Sequence, residues 1–336
     1  MKKFYKLTMF VLSLVWLSAC EDTSETPTPV FSDQVIVINE GNFNAANGVI
    51  STYDKETKET SLQQFNALST LQNANLIQDM LYLVGNAPDK LEIMDIDNFS
   101  SLNTISSGFL NPVSFATVSN TGFVSNWGDI TTAFTESPDS FISVIDLTSN
   151  SVVDSVDLNY RPQDLISHDG FIYIAFEGGN VIGKLDPATL TIEELSVPSG
   201  PSAFVKNNDN LWVLTTSGSL VEIVTPDFNV GQSVDNLAVT GFDEKMVINE
   251  QDNIIYFIGS DATYEVDLNQ TPLAAQVFTD EDIDYYGIGI DPSNGDVYIG
   301  DSNGFTSTGT GFRYNKDGSL IDEFAVGIGP NNFLFY

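Results

Sequence analysis

The first side chain with chemistry to assign is Cys20, the one thiol in 336 residues. A single Cys cannot close a disulfide within one copy of the chain, and a thiolate zinc site needs several such ligands. Its flanks point to acylation. Lys2, Lys3 and Lys6 precede an apolar run from Met9 to Trp16, the charged start and short apolar middle of a secretory signal. That run is too short to span a bilayer. Leu17, Ser18, Ala19 and Cys20 then read as a lipobox, in which the chain is cut before the Cys and the thiol is lipidated. Each buried acyl methylene contributes about 0.8 kcal/mol, so two or more chains hold a protein on a membrane. The alternatives are an ordinary signal peptide that happens to end in Cys, or a thiol buried in a core.

Imidazole chemistry is thin. His168 is the only histidine and falls in the "SHDG" turn, where a water-exposed ring is expected. Hydrolytic triads and imidazole metal sites are thereby disfavoured. A hard cation such as calcium needs only oxygen ligands. The stretch "DSNG" from Asp301 to Gly304 offers some, although the same letters make an ordinary turn.

Three acids, Glu21, Asp22 and Glu25, follow Cys20 among Ser and Thr, and Pro27 and Pro29 interrupt the segment. Such a stretch cannot bury enough apolar surface to fold and reads as a solvated tether. It also resembles the acidic surface-export signal of Bacteroidota lipoproteins, which implies an outer-membrane protein facing the exterior. The formal charge of the whole chain is -34, and removing residues 1–19, with three lysines and no acid, leaves about -37. Nucleic acid is excluded as a partner, because binding it requires Lys and Arg to displace counterions.

The elements that must carry any site are legible as repeats. Runs ending in an acid or amide recur as "ISTYD" (Asp54), "LEIMD" (Asp95), "ISVID" (Asp146), "VIGKLD" (Asp186) and "TYEVD" (Asp267), with gaps of 41, 51, 40 and 81 residues. The last gap holds two periods, since Thr225 takes the place of the acid in "LVEIVT", and "GFRYN" adds a copy ending at Asn315. A second strand-like run precedes each, from "VIVINE" to "DVYIGDSN". Val, Ile, Tyr, Phe and Thr at period two suit strands, and "SNTG", "SHDG", "NNDN" and "PSNG" supply tight turns. The recurring acids read as turn caps.

Units of 40 to 50 residues with four short strands are the size of a propeller blade. The expected fold is all-β: a seven-bladed β-propeller closed by pairing of the C-terminal strand, "GIGPNNFLFY", with the N-terminal blade. The expected organisation is a lipoprotein signal peptide over 1–19, a lipidated acidic flexible tether over 20–33, and the propeller over 34–336. Strand parity puts the tight turns on one face. The long loops "NEGNFNAANG", "NWGDITTAFTESPDS" and "DSNGFTSTGTG" fall on the other, where function usually concentrates. Ligand-binding candidates there are Asn39, Glu40, Asn42, Phe43, Asn86, Asn126, Trp127 and Glu177 after second strands. Tyr160, Arg161, Tyr285 and Tyr286 join them from connections between units. Amides and carboxylates orient a ligand while flat rings supply contact area.

The opening "VIVINEGNF...NGVISTYD", the "SVIDL" strands and the terminal "GIGPNNFLFY" resemble the YVTN-type propellers of Bacteroidota surface lipoproteins, close to the DUF5074 family and similar to BtuG-type vitamin B12 capture proteins. The resemblance implies a non-enzymatic surface lipoprotein that binds a corrinoid such as cobalamin and passes it to a TonB-dependent outer-membrane transporter. In that reading Trp127 and Tyr286 cover the corrin ring. One alternative is a lactonase-type hydrolase with calcium in the central tunnel held by Glu40, Asn126 or Asp301. Another is a surface adhesin or scaffold without a small ligand. No other cofactor is expected.

Replacing Cys20 with Ala is expected to release the protein from membranes, because acylation is the one anchor the sequence offers. Cell fractionation checks this, and a variant that stays in the membrane pellet would refute it.

Overall fold

Alternating and fully apolar runs form strands because they can be buried on one or both faces of a sheet. The computed structural model describes residues 33–336 apart from 44, 64–69, 136, 137, 208, 209 and 226, so the signal peptide, Cys20 and nearly all of the acidic tether lie outside the described residues. The first strands are β1 (Gln34–Asn39), β2 (Val49–Asp54) and β3 (Thr60–Gln63), followed by β4 (Leu71–Ile77), β5 (Met80–Asn86), β6 (Asp89–Asp95) and β7 (Ser101–Ile105). Next come β8 (Pro112–Val118), β9 (Thr121–Asn126), β10 (Phe141–Asp146), β11 (Ser151–Asp157), β12 (Asp164–His168), β13 (Phe171–Ala175), β14 (Val181–Leu185) and β15 (Ile192–Ser196). The chain continues through β16 (Pro201–Asn207), β17 (Asn210–Thr215), β18 (Ser219–Val224), β19 (Asn229–Asp235), β20 (Met246–Asn249), β21 (Ile254–Ile258), β22 (Thr263–Asp267) and β23 (Ala275–Thr279). It ends with β24 (Tyr285–Ile290), β25 (Val297–Asp301), β26 (Thr310–Tyr314), β27 (Leu320–Ala325) and β28 (Pro330–Phe335).

Among the described residues these strands form five four-stranded antiparallel sheets and one of eight strands, ordered β27-β26-β25-β24-β28-β1-β2-β3. Within the larger sheet, the single parallel bridge Ile288 to Asn332 joins β24 to β28. The expected closing strand is there: β28 pairs antiparallel with β1, from Val35 opposite Phe335 to Asn39 opposite Pro330. Strands β28, β4, β8, β12, β16, β20 and β24 pack each against the next, and β24 returns to β28. The result is an all-β, propeller-like arrangement.

Burial follows this radial order. β1, β13, β17 and β25 are buried along nearly their whole length, whereas β11 and β19 are largely exposed. Most cores sit between consecutive sheets, such as Phe123 and Ile142 against Ile172 and Ile174. Burying side chains of this size stabilises by roughly 1.5–3 kcal/mol each. The halves of the eight-stranded sheet are sealed by Tyr53 stacked on Phe324 at 3.9 Å. Their approach requires glycine, since a Cβ on Gly287 or Gly300 would collide with the Pro330 carbonyl oxygen.

The repeated acids cap turns. Asp54, Asp95, Asp146, Asp186 and Asp267 each accept from a backbone N–H two residues on, and Asn315 does the same. His168 corrects an expectation. It is buried rather than water-exposed, with Nε2 2.9 Å from the Thr225 hydroxyl, because the turn lies against the neighbouring sheet.

Deleting Gly329 to Tyr336 removes every hydrogen bond of β28 to β1 and bares a long apolar strand edge. Loss of cooperative unfolding and aggregation on expression are the expected outcome. A soluble truncation with one sharp urea transition would contradict it.

Candidate functional site

Three groups of side chains meet where the long loops and the connections into β12, β20 and β24 come together. The first centres on Arg161, in the connection from β11 to β12. Its guanidinium bonds Glu177 Oε1 at 2.6 Å and Gln163 Oε1 at 3.3 Å. It also lies 4.5 Å from the ring centre of Phe134, 5.1 Å from Trp127 and 5.6 Å from Phe242. Charge, two hydrogen bonds and three aromatic faces surround one buried cation, whose Nε has no hydrogen-bond partner among the described residues. Glu177 Oε2 accepts from Ser202 Oγ at 2.7 Å and from the Asp243 backbone N–H at 3.0 Å. Removing one partner of such a buried pair typically costs 3–5 kcal/mol, because the other charge is left uncompensated.

The second group surrounds Glu40. Gln72 Nε2 donates to its Oε1 at 3.0 Å and the Tyr286 hydroxyl donates to its Oε2. Burial raises the pKa of Glu40 despite both bonds. It also lifts the Tyr286 phenol well above its ordinary value, with Glu40 and Asp243 adding to the effect. Tyr286 stands edge-on to Phe305 at 4.8 Å, and Asn42 Nδ2 donates to the Phe305 carbonyl at 2.9 Å.

The third group is the stretch Thr240 to Lys245 before β20. Asp243 Oδ1 accepts from Gln163 at 2.6 Å and Oδ2 pairs with Lys245 at 3.2 Å. Burial pushes the Lys245 ammonium down, but its bond to Asp243 and the fields of Asp243, Glu40 and Asp164 outweigh that and leave its pKa above the ordinary value. Asp164, at the start of β12, accepts from Phe204 N, Leu165 N and Ser114 Oγ. Burial nonetheless raises it from 3.8 to about 6, against the lowering effect of those bonds and of Lys245.

Cavities run through these groups. One of about 180 Å³ is lined from the inner strands by Gln72, Gln163, Asp164, Ser202, Asn331 and Asn332, among others, and by Asp243 to Lys245. A second, of about 210 Å³, shares Asp243 and Lys245 with it and adds Phe242, Ile258, Tyr285 and Tyr286. A groove of about 520 Å³ shares Thr240 and Tyr285 with the second.

Of the candidate ligand residues, Glu40, Asn42, Trp127, Arg161, Glu177 and Tyr286 belong to the first two groups, and Tyr285 lines the two outer cavities. Asn39 and Asn126 are fully buried, and their amides donate to Val37 and Val49 carbonyls and Ser51, and to Val124 and Phe141 carbonyls and Ser143. Asn86 is buried at the end of β5, and Tyr160 packs on Phe176 at 5.8 Å. Phe43 is 60% exposed on its loop. Trp127 is only 9% exposed, with Nε1 donating to the Pro162 carbonyl at 2.8 Å, so it presents little open face. The open rings beside it are Phe134 and Phe242, 57% and 48% exposed. Both were missed from sequence, as were Gln163, Asp164 and Asp243 to Lys245. The signal for the last group was "TGFDEK", an aromatic among charges in a connection between units.

Of the oxygens considered for calcium, Asn126 Oδ1 accepts from Leu110 N, and Asp301 Oδ1 accepts from Asp284 N and Asn303 N. Among the described residues no three His, Cys, Asp or Glu side chains converge as metal ligands.

The chain belongs to the DUF5074 family, a domain of unknown function, matched over residues 33–324. No curated protein sequence matches it. Solved structures resemble its fold at low identity. A candidate 6-phosphogluconolactonase of Bacteroides fragilis shares 13% identity at a TM-score of 0.71, covering 94% of this chain and 100% of its own. A second such protein, from Bacteroides uniformis, shares 14% at 0.72, covering 91% and 100%. A quinonprotein alcohol dehydrogenase-like protein of Bacteroides thetaiotaomicron shares 19% at 0.69, covering 90% and 78%. At these identities the likeness concerns the fold alone.

The raised pKa of Asp164 gives a pH test. An acid raised in the folded state contributes stability that is complete below its unfolded pKa and is lost as pH rises through the folded one. The window here is 3.8 to about 6, and the loss is about 3 kcal/mol. The stability difference between wild type and Asp164→Asn in urea should therefore fall by about that amount from pH 4 to pH 7. An unchanged difference would contradict the assignment.

Proposed function

We propose that this chain is a seven-bladed propeller held at the cell surface by a lipid on Cys20. In this reading it acts without catalysis, binding a broad, neutral, amide-bearing small molecule on its long-loop face and delivering it to a TonB-dependent transporter. A corrinoid such as cobalamin is the ligand class put forward. The blade count is supported by the eight-stranded sheet, whose only link between β24 and β28 is the Ile288 to Asn332 bridge. Divided there, it yields two four-stranded units beside the five four-stranded sheets.

The observation that carries the ligand reading is the pair of exposed rings, Phe134 and Phe242, 6.2 Å apart and held over the Arg161 group. Rings fixed from beneath offer contact area at low entropy cost. Beside them the cavities are lined by Tyr286, Gln72 and Gln163, whose side chains hold Glu40 and Asp243 in place. Resemblance of the sequence to BtuG-type proteins supports the corrinoid choice. The charges argue against a phosphorylated lactone as ligand: Arg161 and Lys245 are already paired, while Glu40, Asp164 and Glu244 face the same region.

Calorimetry with cyanocobalamin is the direct test. Because the two rings are exposed, Phe242→Ala and Phe134→Ala should leave the fold intact, and Phe242→Ala should weaken binding by about 2 kcal/mol, roughly thirtyfold. Absence of heat with the wild type rejects the corrinoid, and affinity indifferent to both substitutions rejects the face.

A further inference from the structure

Of the two ion pairs at the long-loop face, one is closed and one is open. Arg161 and Glu177 keep only 6% and 3% of their side chains exposed, whereas Lys245 and Asp243 keep 20% and 23%. The open pair lines the cavity of about 210 Å³, whose walls also include Phe242, Ile258, Tyr285 and Tyr286. Its position is fixed through the backbone. Asp243 N donates to Glu177 at 3.0 Å, Glu244 N donates to Ser202 Oγ at 2.9 Å, and the Glu244 carboxylate accepts from Thr240 N and Gly241 N. Neither partner is saturated. The Lys245 ammonium has three N–H donors, and among the described residues its one partner is Asp243 Oδ2 at 3.2 Å. The Asp243 carboxylate has about four accepting positions and receives Lys245 and Gln163 Nε2. A donor and an acceptor thus stand side by side on the wall of a mostly apolar cavity.

We infer that this cavity is a subsite for a primary carboxamide on a short alkyl arm, an inference that rests on the loop-face reading only in naming which part of that ligand enters it. A primary carboxamide carries a C=O acceptor and N–H donors on one carbon, so it accepts from Lys245 and donates to Asp243 while the two remain paired. Hydrogen bonds to charged partners are the stronger kind. A carboxylate has no donor for Asp243 and meets its charge, with Glu40 and Asp164 contributing to the same field at Lys245. An alkylammonium has no acceptor for Lys245 and meets a like charge. A purely apolar guest strips water from both ions and returns no hydrogen bond. The arm finds Phe242, Ile258 and Tyr286 on the same walls. The volume equals roughly seven waters, room for an amide on an arm of about two to three carbons. The mouth opens past Thr240 and Tyr285, which the cavity shares with the groove of about 520 Å³.

The test titrates full-length protein with butyramide and follows the backbone amide NMR shifts of Phe242 and Tyr286. Butyrate, butylammonium and N,N-dimethylbutyramide, which keeps the carbonyl and lacks the N–H, are the comparisons at equal ionic strength. Saturable butyramide binding, about fivefold or more tighter than any of the three, is expected. Lys245→Met keeps an apolar stem and removes the charge. Butyramide should then weaken about fivefold while butylammonium tightens, opposite changes that a general loosening of the loop would not give. If that variant does not fold, the wild-type ranking decides alone. A parallel titration with cyanocobalamin separates this inference from the reading beside it. Butyramide ranked first with no cyanocobalamin bound keeps the subsite and rejects the corrinoid, whereas cyanocobalamin bound with the small probes unranked overturns the subsite. Butyrate or butylammonium binding as tightly as butyramide, or butyramide affinity unchanged in Lys245→Met, overturns it as well.

Discussion

The pairing of β28 with β1 is the constraint on which the rest of this molecule depends. It joins segments from opposite ends of the chain, so it forms only after a very long loop has closed, an entropy cost that local contacts do not carry. In return it removes the strand edges that β1 and β24 would otherwise leave open. The same closure builds the site. Backbone bonds from Glu40 N to Gly329 O at 2.7 Å and from Gly41 N to Ile328 O at 2.9 Å tie the loop after β1 to the lead-in of β28. Glu40 is thereby set where Tyr286 and Gln72 reach its two oxygens. One residue further into β28, Asn331 and Asn332 enter the lining of the inner cavity.

A second set of interactions does for the connections what β28 does for the sheets. Arg161, Glu177, Ser202 and Asp243 come from four separate segments and are linked by hydrogen bonds of 2.6 to 3.0 Å. Long connections have no ladder to fix them, and apolar packing alone would leave their register open. A buried charge network specifies one arrangement, since any other strands a charge without its partner. The consequence for the surface is mechanical. With Arg161 fixed, Phe134 and Phe242 are braced against its guanidinium and against Trp127, at 5.6 and 6.3 Å from the indole.

The framework was legible in the sequence because it repeats. Acids capping turns recur at a near-constant spacing, and each cap has a local cause, a carboxylate accepting from its own turn. Strand order and the closing role of "GIGPNNFLFY" followed from the same repetition. Site residues in loops were legible only by position. Parity placed Glu40, Arg161, Glu177 and Tyr286 on one face, but could not distinguish Trp127, which is buried under its neighbours, from Phe134 seven residues later, which is open. Asn39 and Asn126 show the reason. The residue type that would greet a ligand is also the type that ties a loop to its own backbone, and contacts across the sheets decide between the two. Asp164 and Lys245 escaped notice for a related reason: Asp164 opens a strand and Lys245 ends a charged connection, and each acquires meaning only beside inner strands far away in sequence. His168 was misjudged because a turn that is exposed within its own sheet lies against the next one.

Electrostatics then separates the two parts of the working face. Over the whole chain the charge is -34, and a solvated surface of that sign is screened within about 8–10 Å at ordinary salt. Its main effects are solubility and repulsion of polyanions. The carboxylates around the inner cavity differ because burial weakens screening, and the raised pKa values of Glu40, Asp164 and Glu244 show that desolvation there exceeds what their hydrogen bonds return. A guest that brings N–H donors lowers that cost, whereas one that brings negative charge raises it. At the rim, Phe134 and Phe242 have no such preference and reward area alone. The face is thus graded, aromatic outside and acidic within, and the gradient follows from which side chains the closed ring of inner strands holds away from water.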